Sequence, residues 1–137
     1  MKKIKKNNIQ VIAEVGVNHN GNLQIAKKLI DGAKECGANF VKFQIFNPEE
    51  ITTPSARKAN YQQKNYQKFS NQYEMLKKFN LTLKEFQIIK NYCIKKKINF
   101  LASAFDISSL NNLKKLKVNS YKINFFFNTI IFNNLKF

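Results

Sequence analysis

The chain has 137 residues, of which 44% are hydrophobic and 23% are charged, and its formal net charge is +16. This length suffices for one modest domain, and the hydrophobic content argues against a disordered chain. No apolar run is long enough to cross a bilayer, and the short apolar stretch that follows the basic start contains Glu14. We therefore expect a cytoplasmic protein with neither a signal peptide nor a membrane anchor.

The large excess of lysine raises the question of a nucleic-acid partner. The lysines are spread along the whole chain, and the aromatic residues are mostly Phe in strand-like runs, as a protein core requires. Lys, Asn, Ile and Phe are abundant together, which is typical of a bias in background composition. We therefore expect no nucleic-acid partner, although a basic surface still attracts anionic substrates.

Strand-like and helix-like segments alternate along the chain. The first half of the pattern predicts a strand over 9–15, a turn over 18–22, a helix that Asn22 caps and Gly37 ends, a strand over 40–46 and a polar stretch over 47–72. The second half predicts a short helix over 74–79, a helix that begins with the capping box of Thr82 and Glu85, and a strand over 98–104. A helix over 107–116 and a strand from 120 to 123 follow. A polar connection as long as 47–72 is usually functional or ordered by a ligand.

This alternation predicts an α/β fold in which parallel strands are joined by right-handed helical crossovers. Two architectures fit the pattern, a doubly wound sheet and part of a (β/α)8 barrel. A complete barrel needs about 250 residues, so this chain has enough residues for about half of one.

The carboxyl ends of parallel strands are where reactive groups gather, and polar residues follow the first two predicted strands there. Glu14 lies inside an apolar strand, where an acid is costly to bury unless it is paired or used, and Asn18 and His19 lie in the next turn. Lys42 and Gln44 alternate with apolar neighbours in the second strand. A single histidine cannot form a metal site by itself, and substrate contact and turn structure are both open for His19.

The later strands supply a hydroxyl and a second cation. Ser103 lies where the third strand becomes a loop, and Lys122 lies in the fourth strand. Two strand lysines, a hydroxyl and one acid together indicate a pocket for a small, doubly charged anion. We interpret Asp106 as a helix cap. Gln72 and Tyr73, at the close of the long polar stretch, are a weak signal when taken alone.

Five segments in order resemble the sialic-acid synthases, that is, N-acetylneuraminate synthases and their legionaminic and pseudaminic acid relatives. The resemblance rests on 12–21 (IAEVGVNHNG), 41–44 (VKFQ), 72–76 (QYEML), 100–106 (FLASAFD) and 120–123 (SYKI). It implies an N-terminal (β/α)8 TIM barrel, truncated here, and a homodimer in the intact enzyme. It also implies the condensation of phosphoenolpyruvate with N-acetylmannosamine or a related acetamido sugar, with manganese or magnesium holding the sugar aldehyde.

The resemblance also implies residue roles. Lys42, Ser103 and Lys122 would bind phosphoenolpyruvate, Glu14 would contact the sugar or move protons as the catalytic group, and Gln44 would lie beside the metal and the substrates. By the same matching, Asn18, His19, Gln72 and Tyr73 would be substrate-binding residues. The metal-binding histidines of the family lie beyond the matching part, so we expect no metal ligand in this chain.

The resemblance ends near residue 123. The stretch 124–137 has no acidic residue and no clear period, so we divide the chain into a partial barrel over 1–123 and a divergent tail over 124–137, as a frameshifted or truncated product would give. We expect the chain alone to be inactive. Another phosphoenolpyruvate-condensing barrel enzyme and a basic binding module are the alternatives, and the sequence does not identify the sugar.

Overall fold

The computed structural model describes residues 9–123, which form four strands and six helices. The strands are β1 (Ile12–Gly16), β2 (Phe40–Ile45), β3 (Asn99–Ala104) and β4 (Tyr121–Ile123). The helices are α1 (Leu23–Glu35), α2 (Pro48–Ile51), α3 (Asn60–Asn65), α4 (Gln72–Phe79), α5 (Leu83–Lys96) and α6 (Ile107–Lys115). The predicted alternation is confirmed, with boundaries that differ by a few residues.

The four strands form one sheet in the order β1-β2-β3-β4, and every neighbouring pair is parallel. A doubly wound sheet reverses its strand order at a switch point, whereas a barrel adds each new strand on the same side. The described strands advance in one direction without reversal. This topology is that of the first half of a (β/α)8 barrel, so the doubly wound alternative is wrong for this part of the chain.

The hydrophobic core lies between the sheet and the helices. Val41, Phe43 and Ile45 alternate along β2 on its helix-facing side and are almost completely buried. The Phe43 ring packs edge-on against Phe86 of α5, with 6.5 Å between ring centroids, and stacks with Phe100 of β3 at 5.8 Å. The opposite side of the strands is therefore free to carry polar side chains.

Local capping sets where the two longest helices begin, as predicted. The Asn22 side chain accepts hydrogen bonds from the amides of Gln24 and Ile25 at the start of α1. At the start of α5, Thr82 and Glu85 form a reciprocal capping box. These caps fix the turns that follow β1 and precede α5, and both turns lie at the carboxyl end of the sheet.

The first strand is shorter and more exposed than the sequence predicts. It begins at Ile12 instead of at residue 9, and Ile9, Val11 and Ile12 are at least half exposed. The reason is that β1 pairs only with β2 among the described strands, so its other edge has no neighbour there. The predicted start of this strand at residue 9 was therefore wrong.

The polar stretch 47–72 is more ordered than a loop, because α2 and α3 lie within it. The Lys58 ammonium holds the stretch together by donating to the backbone carbonyls of Tyr66, at 2.9 Å, and Phe69. A second apolar cluster, centred on Phe46, Met75 and Phe79, packs beneath it. No helix among residues 9–123 is long and apolar enough to span a bilayer. The predicted tail, 124–137, lies outside the described residues.

Candidate functional site

The register of the sheet places five candidate residues on one face. Glu14 pairs with Lys42 in one row, and Gln44, Ser103 and Lys122 align in the row two residues closer to the carboxyl ends. Because side chains alternate along a strand, these residues all point away from the helix-facing core that contains Phe43. The face is the one that lines the interior of a barrel.

Glu14 and Lys42 form an ion pair between the Lys42 ammonium and the Glu14 carboxylate. The Lys42 side chain is 16% exposed and that of Glu14 is 45% exposed. An ion pair that is partly open to solvent adds little to stability, so its main effect is to orient the two groups. The acid inside the first strand is thus explained by a cation in the second strand.

Gly16 makes room for this pair. Its φ is +54°, a left-handed conformation that disfavours residues with a side chain. A Cβ atom at this position would lie 3.4 Å from Glu14 Oε1 and 3.6 Å from Gln44 Nε2. The Glu14 carboxylate and the Gln44 carboxamide therefore converge beside Gly16. Gly16 was not among the predicted site residues, although a Gly two residues after the acid of an apolar strand was a usable signal.

The two strand lysines lie on the same face but not in the same row. Parallel strands lie about 4.8 Å apart and rise about 3.3 Å per residue, so the Cα atoms of Lys42 and Lys122 are separated by roughly 12 Å. Lysine side chains reach about half of that distance each, so both ammonium groups can approach one small anion between them. Ser103 lies between them in the register and is buried.

His19 lies on the other side of the sheet. Its side chain is buried, its Nδ1 atom accepts a hydrogen bond from the Gly21 amide at 3.1 Å, and its ring is 6.0 Å from the Phe43 ring. Burial lowers the pKa of the imidazole, against a smaller opposing effect of Glu85. This geometry favours turn structure over substrate contact. The role of the exposed Asn18, in the same turn, stays a prediction.

Gln72 and Tyr73 contact the loop instead of the strands. Gln72 Oε1 accepts a hydrogen bond from the Thr52 hydroxyl at 3.2 Å, and the Tyr73 hydroxyl donates to Glu49 at 3.4 Å. Both contacts join α4 to the region of α2. Their proposed roles in substrate binding therefore stay predictions.

Asp106 makes more contacts than the predicted helix cap. As expected, its carboxylate accepts from the Ser109 amide, at 2.6 Å, in the first turn of α6. It also accepts from the Asn47 amide at 2.5 Å, and Asn47 is 59 residues earlier in the chain. No local pattern reveals a contact between two loops so far apart in sequence.

Among residues 9–123, no three His, Cys, Asp or Glu side chains lie close enough to hold a metal ion together. The Glu14 carboxylate is already engaged by Lys42. The donor set of the described residues therefore does not fit a metal site.

The comparison with protein families is decisive for identity. A model of the NeuB family matches residues 29–131, which is most of the chain. The chain belongs to the NeuB family. The match includes β2, β3 and β4, and with them Lys42, Gln44, Ser103 and Lys122.

Several curated relatives of this NeuB chain are named as synthases of legionaminic or pseudaminic acids. It is 42% identical over 113 residues to N,N'-diacetyllegionaminic acid synthase of Legionella pneumophila, a match that covers 82% of this chain and 32% of the relative. It is 30% identical over 114 residues to pseudaminic acid synthase of Helicobacter pylori, covering 83% of this chain and 34% of the relative. The chain thus spans about a third of the length of the curated relatives it matches.

Solved structures support the barrel. The N-acetylneuraminic acid synthetase of Leptospira borgpetersenii, in complex with citrate, matches with a TM-score of 0.63 and 33% identity, over 88% of this chain and 40% of that one. A spore coat polysaccharide biosynthesis protein E from Chromobacterium violaceum matches with a TM-score of 0.64 at 20% identity, over 84% of this chain and 33% of that one, which shows the fold alone. The predicted family and the predicted partial barrel of this NeuB chain are confirmed.

Proposed function

We propose that this chain carries part of the active site of a synthase that condenses phosphoenolpyruvate with N-acetylmannosamine or a related acetamido sugar, giving a nonulosonic acid and phosphate. The observation that carries the proposal is the placement of two strand lysines, a buried hydroxyl and an ion-paired carboxylate on one face of the sheet. The matched relatives that are named as synthases of such acids favour this substrate class.

Phosphoenolpyruvate carries two anionic groups, a phosphate and a carboxylate, and the site offers two strand lysines to neutralise them. In the proposal, Lys42 and Lys122 neutralise these two groups, and the Ser103 hydroxyl between them in the register donates a hydrogen bond. Fixed cations and donors hold the enol carbon in position for attack on the sugar aldehyde. The cations also stabilise the charge on the departing phosphate.

Glu14 is the acid–base candidate of the proposal. Its side chain is 45% exposed, which leaves room for a second ligand while the carboxylate holds Lys42. In this position it contacts the sugar or moves a proton during the addition of water. The Gln44 carboxamide, beside Glu14 near Gly16, supplies a further donor and acceptor for the substrates.

The resemblance implies manganese or magnesium and a homodimer in the intact enzyme, and both stay proposals, as does a cytoplasmic location. A divalent metal would polarise the sugar aldehyde as a Lewis acid. The residues described here do not fit a metal site by themselves, so the proposal assigns them no step through a metal.

The test is phosphoenolpyruvate binding by isothermal titration calorimetry, because the chain spans only a third of its relatives and binding needs fewer groups than turnover. Lys42→Met removes one of the two cations, and we expect affinity to fall roughly 10- to 100-fold, as the loss of a charge-assisted hydrogen bond predicts. The matched control is Lys95→Met, an exposed lysine in the last turn of α5, which should leave affinity unchanged. Equal affinity of wild type and Lys42→Met would refute the assignment.

A basic binding module is the second candidate, favoured by the lysines in the last turns of α5 and α6. Such a module binds polyanions through many weak contacts that salt weakens steeply. Retention on heparin that falls by the same amount in Lys42→Met and Lys95→Met would favour it. Another phosphoenolpyruvate-condensing barrel enzyme remains an alternative. Measuring which sugars an intact relative accepts distinguishes it from a synthase that uses acetamido sugars.

A further inference from the structure

Asp106 is a buried carboxylate that joins two loops at the carboxyl end of the sheet. It is 4% exposed. One oxygen, Oδ1, accepts from the Ser109 amide at 2.6 Å, and the other, Oδ2, accepts from the Asn47 amide at 2.5 Å and from the Ser109 hydroxyl at 2.8 Å. Several donors and the amino end of α6 compensate for the buried negative charge.

The contact with Asn47 continues the β2–β3 ladder beyond its last backbone bond. Gln44 pairs with Ser103 in the register, and Asn47 and Asp106 each lie three residues further along their strands. Between these two rows the Phe105 amide donates to the Ile45 carbonyl at 3.1 Å. The Asp106 side chain therefore takes the place of a backbone acceptor at the point where the strands separate into loops.

A second ring of contacts surrounds this link. The Asn47 side chain donates to Glu50 Oε1 at 2.9 Å, and the Ser108 hydroxyl contacts both that oxygen and Asp106 Oδ1. Hydrogen bonds from Ser108 and Asn47 lower the pKa of Glu50 below its usual value. The start of α2 and the start of α6 are thus cross-linked through polar groups on both sides of Asp106.

We propose that Asp106 is a positioning residue: it fastens the loop after β2 to the first turn of α6 and thereby fixes the strand ends that present Gln44 and Ser103. Capping of α6 needs only the bond to the Ser109 amide, whereas the bond to the Asn47 amide serves the neighbouring strand. The inference rests on the proposed function in so far as Gln44 and Ser103 face its site, but its test requires no ligand.

Asp106→Asn separates the two roles. Asn caps helices about as well as Asp, so the Ser109 amide keeps an acceptor and α6 stays capped. The second carboxylate oxygen becomes an NH2 group, which cannot accept from the Asn47 amide, so that amide loses its partner. We expect hydrogen exchange of the Asn47 amide to accelerate roughly tenfold or more, and the NMR order parameter of the Gln44 side-chain amide to fall, with Ser109 protection retained.

Ser109→Ala is the matched control. It removes another hydrogen bond to the same carboxylate oxygen but leaves the Asn47 contact, so Asn47 exchange should stay at the wild-type rate. Unchanged Asn47 exchange in Asp106→Asn would overturn the inference. Faster Asn47 exchange with an unchanged Gln44 side chain would also overturn it, because Asp106 would then order only its own loop. Absence of phosphoenolpyruvate binding in wild type would count against the proposed function and would leave these readouts intact.

Discussion

The two ends of the sheet use charge in different ways. Of the eight acidic residues in the chain, α1 contains two, and the carboxyl ends of the strands, with the loops and helix starts that follow them, contain the other six: Glu14, Glu49, Glu50, Glu74, Glu85 and Asp106. At the amino end, lysines dominate the last turns and the turns that follow: Lys34, Lys95, Lys96, Lys97, Lys114, Lys115 and Lys117. Most of the acids thus lie at the carboxyl end, whereas the amino end carries a group of lysines, of which Lys96 forms an ion pair with Asp31 of α1 at 2.6 Å.

Two lysines at the amino end, Lys34 and Lys90, donate to carbonyls at helix termini. Lys34 Nζ donates to the Lys97 carbonyl at 2.8 Å, and Lys90 Nζ donates to the carbonyls of Leu116 and Lys117 at 2.7 and 3.0 Å. Cations at helix carboxyl ends complement the free carbonyls and the helix dipole. A high lysine content can therefore be structural, and the net charge alone says little about a polyanionic partner.

The largest expected effect contrasts two glycines, one at each end. Gly21, after β1, and Gly37, after α1, have φ values of +69° and +80°. A Cβ at Gly21 would lie 2.1 Å from the Lys78 carbonyl oxygen, whereas no atom of residues 9–123 lies within 4 Å of a Cβ at Gly37. We expect Gly21→Ala to lower the free energy of unfolding by about 3 kcal/mol or more, from strain plus overlap with backbone. Gly37→Ala should lower it by about 1 kcal/mol, from strain alone.

Urea denaturation of both variants measures this difference. Equal losses would mean that the turn after β1 is no more tightly packed against α4 than the turn after α1 is against its surroundings. The backbone would then be packed no more closely around Gly21, at the carboxyl end of the sheet, than around Gly37, at the amino end.

A smaller effect concerns pH and the carboxyl end. Burial depresses the pKa of His19 below its usual 6.5, so the unfolded chain binds this proton more tightly than the folded one. The contribution of His19 to stability is therefore complete above pH 6.5 and is lost as the pH falls through the lowered folded pKa. His19→Gln removes the titrating group, and the difference in unfolding free energy between about pH 5 and pH 7.5 should shrink in the variant. An undiminished difference in the variant would assign the pH dependence to other groups.

The smallest effect tests the amino end. Lys90→Met removes the donor to the carbonyls of Leu116 and Lys117 but keeps most of the aliphatic side chain. We expect the free energy of unfolding to fall by about 0.5–1 kcal/mol. The exposed Lys95, on the same helix, is the matched control, and Lys95→Met should change it by less than about 0.5 kcal/mol. If the two variants behave alike, the contacts of Lys90 contribute no more than an ordinary surface lysine.

The sequence predicted the features that depend on local chemistry. Caps at Asn22 and Thr82, and the alternation of Lys42 with Val41 and Phe43, follow from side chains and their immediate neighbours, and the structure confirms them. The same alternation is enough to group Glu14, Gln44, Ser103 and Lys122 from the amino-acid sequence alone, because strand ends meet at one edge of a parallel sheet.

What the sequence did not predict depends on contacts between distant segments. The Asp106–Asn47 link joins residues 59 apart, and the role of Gly16 becomes visible only when Glu14 and Gln44 converge on it. The sequence did not determine on which side of the sheet His19 lies. The turn over 18–22 folds back toward the helix-facing core, where the His19 ring lies near Phe43. The exposure of β1 depends on which edge of the sheet it occupies.

In the proposed function, a small anion with two anionic groups binds at the carboxyl end of the strands and not among the lysines of the amino end. The direct measurement is a titration of the 15N-labelled chain with phosphoenolpyruvate, followed by backbone amide chemical shifts. We expect saturable changes that cluster around Lys42, Gln44, Ser103 and Lys122, with little change at Lys97 and Lys117. Saturable changes centred on Lys97 and Lys117, or changes of equal size at both ends, would contradict it.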